Sequence, residues 1–207
     1  MTRITTVYGA TGSGKSHLVK GALARARRII VFDPQHEYGS VCGGEIVSNA
    51  GEMIEAMAGD MRGFKVAYQP KGEADMVEQL HTVACALWDW QDVVPGTATL
   101  VIEEANRGYP NEKVPAKLRG MQKLVLQGRH RNIQLVGISQ RPALVNPDLR
   151  TNAGRVVLFR LADYSDRQTV GRMFGPNYIS NVSVLQDRES ISFINGVPAP
   201  ANDNFSI

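Results

Sequence analysis

The sequence is most informative about its fold at "GATGSGKS", residues 9–16, which follows the segment "RITTVY" (3–8). It fits the pattern G-x-x-x-x-G-K-[ST], whose glycines let successive backbone N–H groups point at a phosphate. We predict a strand before the loop and a helix over 15–26 after it, because a helix N-terminus favours an anion. This context predicts a site for a nucleoside triphosphate. The alternative is a chance turn rich in glycine and serine.

The residue types in this loop have expected roles. Lys15 is expected to reach the β- and γ-phosphates, and the Ser16 hydroxyl is expected to ligate Mg²⁺. ATP and Mg²⁺ are therefore the predicted cofactors. The full set of predicted nucleotide-binding residues is Gly9, Ala10, Thr11, Gly12, Ser13, Gly14, Lys15, Ser16 and His17.

A pair of acids follows a second apolar segment, "TLVIEEANRGYP" (99–110). The run before the acids is near-continuously apolar, as in a buried parallel strand. We assign Glu103 to Mg²⁺ and Glu104 to activation of the attacking water. Glutamate in place of the more usual aspartate adds a methylene, so the two roles could be exchanged. The pair counts against a small-molecule kinase, and an exposed acidic helix cap is the alternative interpretation.

The remaining chain predicts strands that alternate with helices, which is typical of an α/β fold with a mainly parallel sheet covered on both faces. The expected fold class is a single P-loop NTPase domain, RecA/ASCE-like, over 1–197, with an extended or disordered tail over 198–207. Other predicted strands are 28–33, 45–48, 64–69, 133–139, 155–161, 182–187 and 190–196, the last two as a hairpin. Other predicted helices are 51–60, 74–90, 115–130 and 165–175.

Composition limits the classes of function. The 207 residues suffice for one sizeable domain, and no apolar run approaches the ~20 residues of a membrane span. Cys42 and Cys85 match no metal-binding spacing, so a reduced compartment without a structural disulfide is expected. Net charge is only +3, yet residues 105–172 hold thirteen Lys or Arg against four Asp or Glu. This asymmetry suggests a face that meets a polyanion, or basic residues scattered over several solvated faces.

Three segments resemble the FtsK–HerA superfamily of hexameric DNA-pumping ATPases. The segment "FDPQHEY" (32–38) is similar to the Asp-x-x-x-Glu-Tyr segment after the second strand of HerA-like proteins. The segment "EEAN" (103–106) resembles their strand-end acids. The segment "GRHRNIQLVGISQRP" (128–142) is similar to the family's Arg-containing helix end, apolar strand and Gln-Arg-Pro.

The resemblance implies further roles. Arg129 falls where the family keeps an arginine finger that acts on the neighbouring subunit, and Gln140 falls on its polar sensor. Both have simpler alternatives: Arg129 and Arg131 could complement a helix dipole, and Gln140 could satisfy backbone groups at a strand end. The expected contacts to the DNA backbone are Arg107, Lys113, Lys117 and Arg119, which could instead face bulk solvent.

Within the superfamily, a motor core of this size resembles the genome-packaging ATPases of membrane-containing double-stranded DNA viruses. The resemblance implies ATP-driven, sequence-independent movement of double-stranded DNA by a ring, hexamer or pentamer. It also implies capsid-vertex or membrane proteins of a virion as partners, and a location in the host cytoplasm or with the virion. The alternatives are a filamentous-phage assembly ATPase resembling zonular occludens toxin, and a nucleotide-binding assembly subunit that does not hydrolyse ATP.

Overall fold

A computed structural model describes residues 4–39, 43–71, 75–200 and 205. In these residues the strands are β1 (Ile4–Tyr8), β2 (Ile29–Phe32), β3 (Glu45–Val47), β4 (Lys65–Tyr68), β5 (Ala98–Ile102), β6 (Ile133–Ser139), β7 (Arg155–Leu158), β8 (Ile191–Ile194) and β9 (Val197–Pro198). The α-helices are α1 (Lys15–Leu23), α2 (Ala50–Gly59), α3 (Met76–Val93), α4 (Ala105–Gly108), α5 (Gly120–Gln127), α6 (Pro147–Thr151), α7 (Tyr164–Phe174) and α8 (Asn177–Val184). Short 3₁₀ segments cover Ala116–Leu118, Gly128–Arg131 and Pro142–Leu144.

The strands form one sheet in the order β3-β4-β2-β5-β6-β1-β7-β8-β9. All pairs from β3 to β7 are parallel, and the last two pairs are antiparallel. Strand β6 lies between β1 and β5, so the chain crosses over before returning to the centre of the sheet. Parallel strands end at the same edge, and ligands of such sheets bind outside the carboxyl ends. The loops after β1, β2, β5 and β6 therefore meet there.

Both faces of the sheet are covered, as the α/β prediction required. Successive residues of β2 divide between two apolar clusters, because side chains alternate across a strand. Ile29 and Val31 belong to the cluster that includes Val19 of α1, and Ile30 and Phe32 to a larger cluster on the other face. The larger cluster includes buried Trp88, with Trp90 packed against it.

The helix predicted over 115–130 is interrupted twice. A 3₁₀ segment precedes α5, another follows it, and Gly120 and Gly128 stand at the two junctions. Glycine has low helix propensity. At the first junction the amide of Gly120 donates a 2.9 Å hydrogen bond to Nδ1 of His81, and a side chain would collide with His81. Packing against α3 therefore divides the helix.

The prediction of a strand over 182–187 is wrong, because residues 182–184 end helix α8. Val182 is fully buried there, and its carbonyl accepts a 2.9 Å hydrogen bond from the amide of Leu161. The hairpin joins β8 to β9 instead, through Asn195 and Gly196, whose φ angles of 51° and 79° suit a tight hairpin turn. Pro198 of the predicted tail belongs to β9, while 201–204 and 206–207 lie outside the described residues.

Within the described part of the chain, no helix is both long enough and apolar enough to cross a membrane. Cys85 carries a free thiol, and Cys42 lies outside the described residues.

Candidate active site

The phosphate-binding loop joins β1 to α1 at the carboxyl edge of the sheet. Its Gly12 and Gly14 have φ angles of 77° and 111°, in the left-handed region that favours glycine. Lys15 begins α1, and its buried ammonium donates a 2.9 Å hydrogen bond to the carbonyl of Ala10. Burial lowers the pKa of Lys15, and the nearby carboxylates of Glu103 and Glu104 oppose that shift. The loop therefore holds a cation at its centre, facing the acid pair.

The loop residues fit a nucleotide. The hydroxyl of Ser13 is fully buried, and among the described residues it has no hydrogen-bond partner. A buried polar group without a partner is costly, so a phosphate oxygen is a suitable acceptor for this hydroxyl. His17, the last predicted nucleotide-binding residue, is exposed in the first turn of α1.

The residues assigned to Mg²⁺ lie together around a third group, the hydroxyl of Tyr38. This hydroxyl donates a 2.9 Å hydrogen bond to Oε2 of Glu103 and is also hydrogen-bonded to the side chain of Ser16. The described residues contain no cluster of three or more His, Cys, Asp or Glu suited to a metal ion. One hydroxyl and one carboxylate nevertheless fit Mg²⁺, which takes its other ligands from phosphates and water.

Both acids of the pair are buried, with exposures of 5 % for Glu103 and 8 % for Glu104, which excludes an exposed acidic cap. Burial raises the pKa of Glu103 to about 7, and the carboxylates of Glu104 and Glu37 add to the shift. The hydrogen bond from Tyr38 and the charge of Lys15 act in the opposite direction. Such a carboxyl group is costly to ionise until another cation approaches it.

The sequence does not predict the role of Tyr38, although this residue ends the segment "FDPQHEY" (32–38). Tyr38 is fully buried, where desolvation and the charge of Glu103 raise its pKa. The carboxylate of Asp33 accepts 2.9 Å hydrogen bonds from the backbone amides of Glu37 and Tyr38 and from the side chain of Gln69. Asp33 thus stabilises the turn that places Tyr38 next to Glu103.

The second acid, Glu104, is linked to the phosphate-binding loop by a relay of hydrogen bonds through Gln140. Nε2 of Gln140 donates a 2.8 Å hydrogen bond to Oε1 of Glu104, and Oε1 of Gln140 accepts a 2.6 Å bond from the hydroxyl of Thr11. Glu104 has a φ of 50°, a left-handed conformation that is uncommon for residues other than glycine. Strain of this kind is concentrated at functional sites. The structure therefore brings together the predicted sensor, the second acid and the phosphate-binding loop.

Polar contacts hold the strand ends that carry these residues. The hydroxyl of Ser139 donates a 2.6 Å hydrogen bond to Asn106, which ties the end of β6 to α4. Nε of Arg141 lies 2.7 Å from the buried carboxylate of Asp166 on α7. This carboxylate also accepts a 2.9 Å bond from the amide of Ala143. The Gln-Arg-Pro segment is thus fixed on both sides of Gln140.

Arg129 lies at the opposite edge of the sheet, close to the amino end of β6. Strand β6 has seven residues, so at ~3.3 Å per residue its two ends are roughly 20–25 Å apart. Arg129 is exposed and lines a cavity with Leu126 and Asn152. The neighbouring Arg131 has a different environment, since it forms a 2.6 Å ion pair with Asp92 and lies over the ring of Trp88.

The four basic residues predicted to contact DNA are all exposed. They lie between Glu104 and α5, and the first of them, Arg107, is within the short helix α4. The amide of Arg107 donates a 2.8 Å hydrogen bond to the carbonyl of Glu104. Lys113 and Arg119 line a second cavity with Tyr109. The segment that carries these basic residues therefore comes directly after the acid pair in the chain.

Comparisons with known proteins agree with this geometry. The family model described as "Helicase HerA, central domain" matches residues 1–81. No curated protein sequence matches the chain. Among solved structures, the genome packaging NTPase B204 from Sulfolobus turreted icosahedral virus 2, in complex with AMP, has 18 % identity and a TM-score of 0.73. That likeness covers 97 % of this chain and 98 % of B204.

A second similar structure is VirB4 of Thermoanaerobacter pseudethanolicus, with 13 % identity and a TM-score of 0.68 over 94 % of this chain and 87 % of VirB4. At these identities the structures establish the fold, and the family model adds the sequence relationship. The predicted fold class is thus confirmed over almost the whole chain. The chain is a P-loop ATPase whose residues 1–81 match a HerA-type domain in sequence, in agreement with the predicted resemblance.

Proposed function

We propose that this ATPase moves double-stranded DNA as a ring and packages a viral genome. The observation that carries the proposal is the direct continuation of the acid pair into an exposed basic segment, Arg107–Arg119. Exposed Lys and Arg contact DNA phosphates without reading sequence. The similarity in fold to the genome packaging NTPase B204 supports packaging as the use of that movement.

The hydrolysis step follows from the positions of the side chains. Lys15 would bind the β- and γ-phosphates, and Ser16 and Glu103 would hold Mg²⁺, which would supply positive charge to offset that of the phosphates. Glu104 orients the attacking water and accepts its proton. Gln140 lies between Glu104 and Thr11, so it responds to whether a γ-phosphate occupies the loop.

The loops after β5 and β6 connect the hydrolysis site to the basic segment that is proposed to contact DNA. The amide of Asn111 donates a 2.7 Å hydrogen bond to the carbonyl of Leu144, and the amide of Asn146 donates a 2.9 Å bond to the carbonyl of Tyr109. The segment after Glu104 is thereby joined to the segment after Gln140. A shift of Gln140 on loss of the γ-phosphate moves the basic segment with it.

The proposed ring assigns a role to Arg129. The length of β6 separates Arg129 from Gln140 by far more than an arginine side chain spans. This distance supports action of Arg129 on the γ-phosphate of a neighbouring protomer, in a proposed ring of five or six copies. In this role the ring works in the host cytoplasm, against capsid-vertex or membrane proteins of the virion.

Double-stranded DNA of arbitrary sequence should stimulate the ATPase, with an affinity that falls steeply as salt rises because counterions are released. Heparin at equal charge is the control. Equal stimulation by heparin would mean a merely polyanionic site. Absence of any response in assembled rings would contradict translocation and favour an assembly ATPase.

A further inference from the structure

A turn from the C-terminal part of the chain packs against the phosphate-binding loop. The amide of Arg188 donates a 2.9 Å hydrogen bond to the carbonyl of Ser13. The Cα of Arg188 lies 3.2 Å from the position that a Cβ would take on Gly14. The approach depends on a glycine in the loop, because a side chain at this position would press on the backbone of the turn.

Several contacts hold this turn, residues 186–189, in place. The carboxylate of Glu189 accepts a 2.8 Å hydrogen bond from the amide of Gln186, which closes the turn. The guanidinium of Arg160 lies 3.2 Å from the carboxylate of Asp187, and the amide of Ala10 donates a 2.7 Å bond to the carbonyl of Arg160. The turn is thus attached to the loop at two points.

Arg188 itself is held in an unusual state. Its φ of 68° is left-handed, a conformation that L-residues with long side chains rarely adopt. Its side chain is exposed, and its guanidinium makes no hydrogen bond or ion pair with the other described residues. An unpaired cation is therefore placed beside the phosphate-binding loop by a strained backbone.

The order of the strands gives the direction in which ATP lies. Glu104 follows β5 and Gln140 follows β6, on one side of the loop, whereas β7 lies on the other side. The γ-phosphate has to face Glu104 for its hydrolysis. The nucleoside end therefore leaves the loop toward β7, where the turn lies.

We propose that Arg188 is a nucleotide-binding residue whose guanidinium packs on the adenine ring of ATP bound in the same protomer. A planar guanidinium suits stacking on an aromatic face better than an ammonium does. This inference rests on the nucleotide site and is independent of DNA movement.

The test compares ATP, ADP and inorganic tripolyphosphate as ligands, by calorimetry on the full chain. Arg188→Gly removes the side chain and suits the left-handed backbone, so the turn should persist. We expect ATP and ADP to bind about fivefold to 30-fold more weakly, with unchanged binding of tripolyphosphate, which has no adenine. Arg188→Lys should show a smaller loss. Arg172→Ala, which removes an exposed arginine on α7, should leave the binding of all three ligands unchanged.

Unchanged ATP affinity in Arg188→Gly would overturn the proposal. An equal loss for tripolyphosphate would also overturn it, since the contact would then be with the phosphates. If Arg188→Gly lowers the melting temperature, Arg188→Lys replaces it in the test. A lower ratio of ATP to tripolyphosphate affinity in Arg188→Lys then supports the proposal, and an unchanged ratio overturns it. If DNA fails to stimulate the ATPase while this ratio changes as expected, translocation is wrong and the adenine contact stands.

Discussion

The side-chain amide of Gln140 donates a hydrogen bond of 2.8 Å to the carboxylate of Glu104. The same amide group accepts a bond of 2.6 Å from Thr11 in the phosphate-binding loop. A γ-phosphate in the loop would compete for the hydrogen bonds of Thr11 and Gln140. Both side chains carry donors, and a phosphate oxygen can accept hydrogen bonds from them. Binding of ATP would then free Glu104 to face the attacking water.

Removal of the relay should slow hydrolysis and spare nucleotide binding. Gln140→Leu deletes the amide at similar volume and should lower kcat by on the order of 10²-fold, the typical cost of one lost donor to a reacting group. Thr11→Val deletes only the hydroxyl and should cost less. Steady-state ATPase and ATP affinity measure the two effects. Gln168→Leu is the control and should behave like the parent, because the side chain of Gln168 bonds Tyr164 on the same helix.

Substitution of the two acids by glutamine should impair different properties of the ATPase. Glu104→Gln keeps the shape of the site and should retain ATP binding while kcat falls about 10²- to 10⁴-fold, because a general base is removed. Glu103→Gln should instead raise the Mg²⁺ concentration required for tight ATP binding, and Lys15→Ala should abolish nucleotide binding. Filter binding and phosphate release measure both properties. Parental turnover in Glu104→Gln, with none in Glu103→Gln, would reverse the two roles.

Tyr38→Phe tests whether the buried hydroxyl positions the magnesium ligands. The ring should still fill its pocket, but the bond to Glu103 is lost and Ser16 loses a partner. We expect the Mg²⁺ requirement for ATP binding to rise about 10- to 100-fold, the usual cost of losing a group that orients a metal ligand. Binding of ATP in EDTA should not change. Tyr178→Phe, on α8, is the control, and an unchanged Mg²⁺ titration for Tyr38→Phe would contradict the role.

Local signals in the sequence predict most of the sheet and most residues of the candidate site. The phosphate-binding loop, the apolar run before Glu103 and the seven-residue strand before Gln140 each carry their pattern in adjacent residues. Tyr38 could not be assigned in this way. It reaches Glu103 because β2 pairs with β5, placing Phe32 beside Ile102, and no local pattern gives that pairing.

The errors arose where tertiary packing overrides local preference. Residues 182–184 include two valines and were predicted as a strand, yet they complete α8. Helix α8 is held by its packing on α7, where Ile179 fits against Gly171. The turn around Arg188 was also unforeseen, because it depends on the chain returning to the loop after β7.

The basic segment should bind the phosphates of DNA. Lys113, Lys117 and Arg119 replaced together by Ala should weaken DNA binding and lower the slope of log K against log salt by about 2 to 3, since three phosphate contacts are lost. Basal ATPase without DNA should be unchanged. The matched control replaces three exposed arginines elsewhere, Arg25, Arg27 and Arg62. If that control weakens DNA binding as much, net charge rather than this segment is responsible.

In the proposed ring each ATP is hydrolysed between two protomers, and substitution of Arg129 tests this proposal. Arg129→Ala should bind nucleotide but be nearly inactive, because an arginine finger contributes ~10³–10⁵ in rate. Lys15→Ala should be inactive because its own site is empty. In mixed rings, the intact Arg129 of the Lys15 variant faces the intact pocket of the Arg129 variant.

The decisive measurement is therefore the ATPase rate of the two variants mixed in equal amounts, with mixed rings verified by differently tagged chains. ATPase activity should return in the mixture although neither variant has any alone. A residue that only caps its own helix cannot be rescued in this way, because its defect stays within its own chain. Mixed rings that form and remain inactive would contradict the shared site.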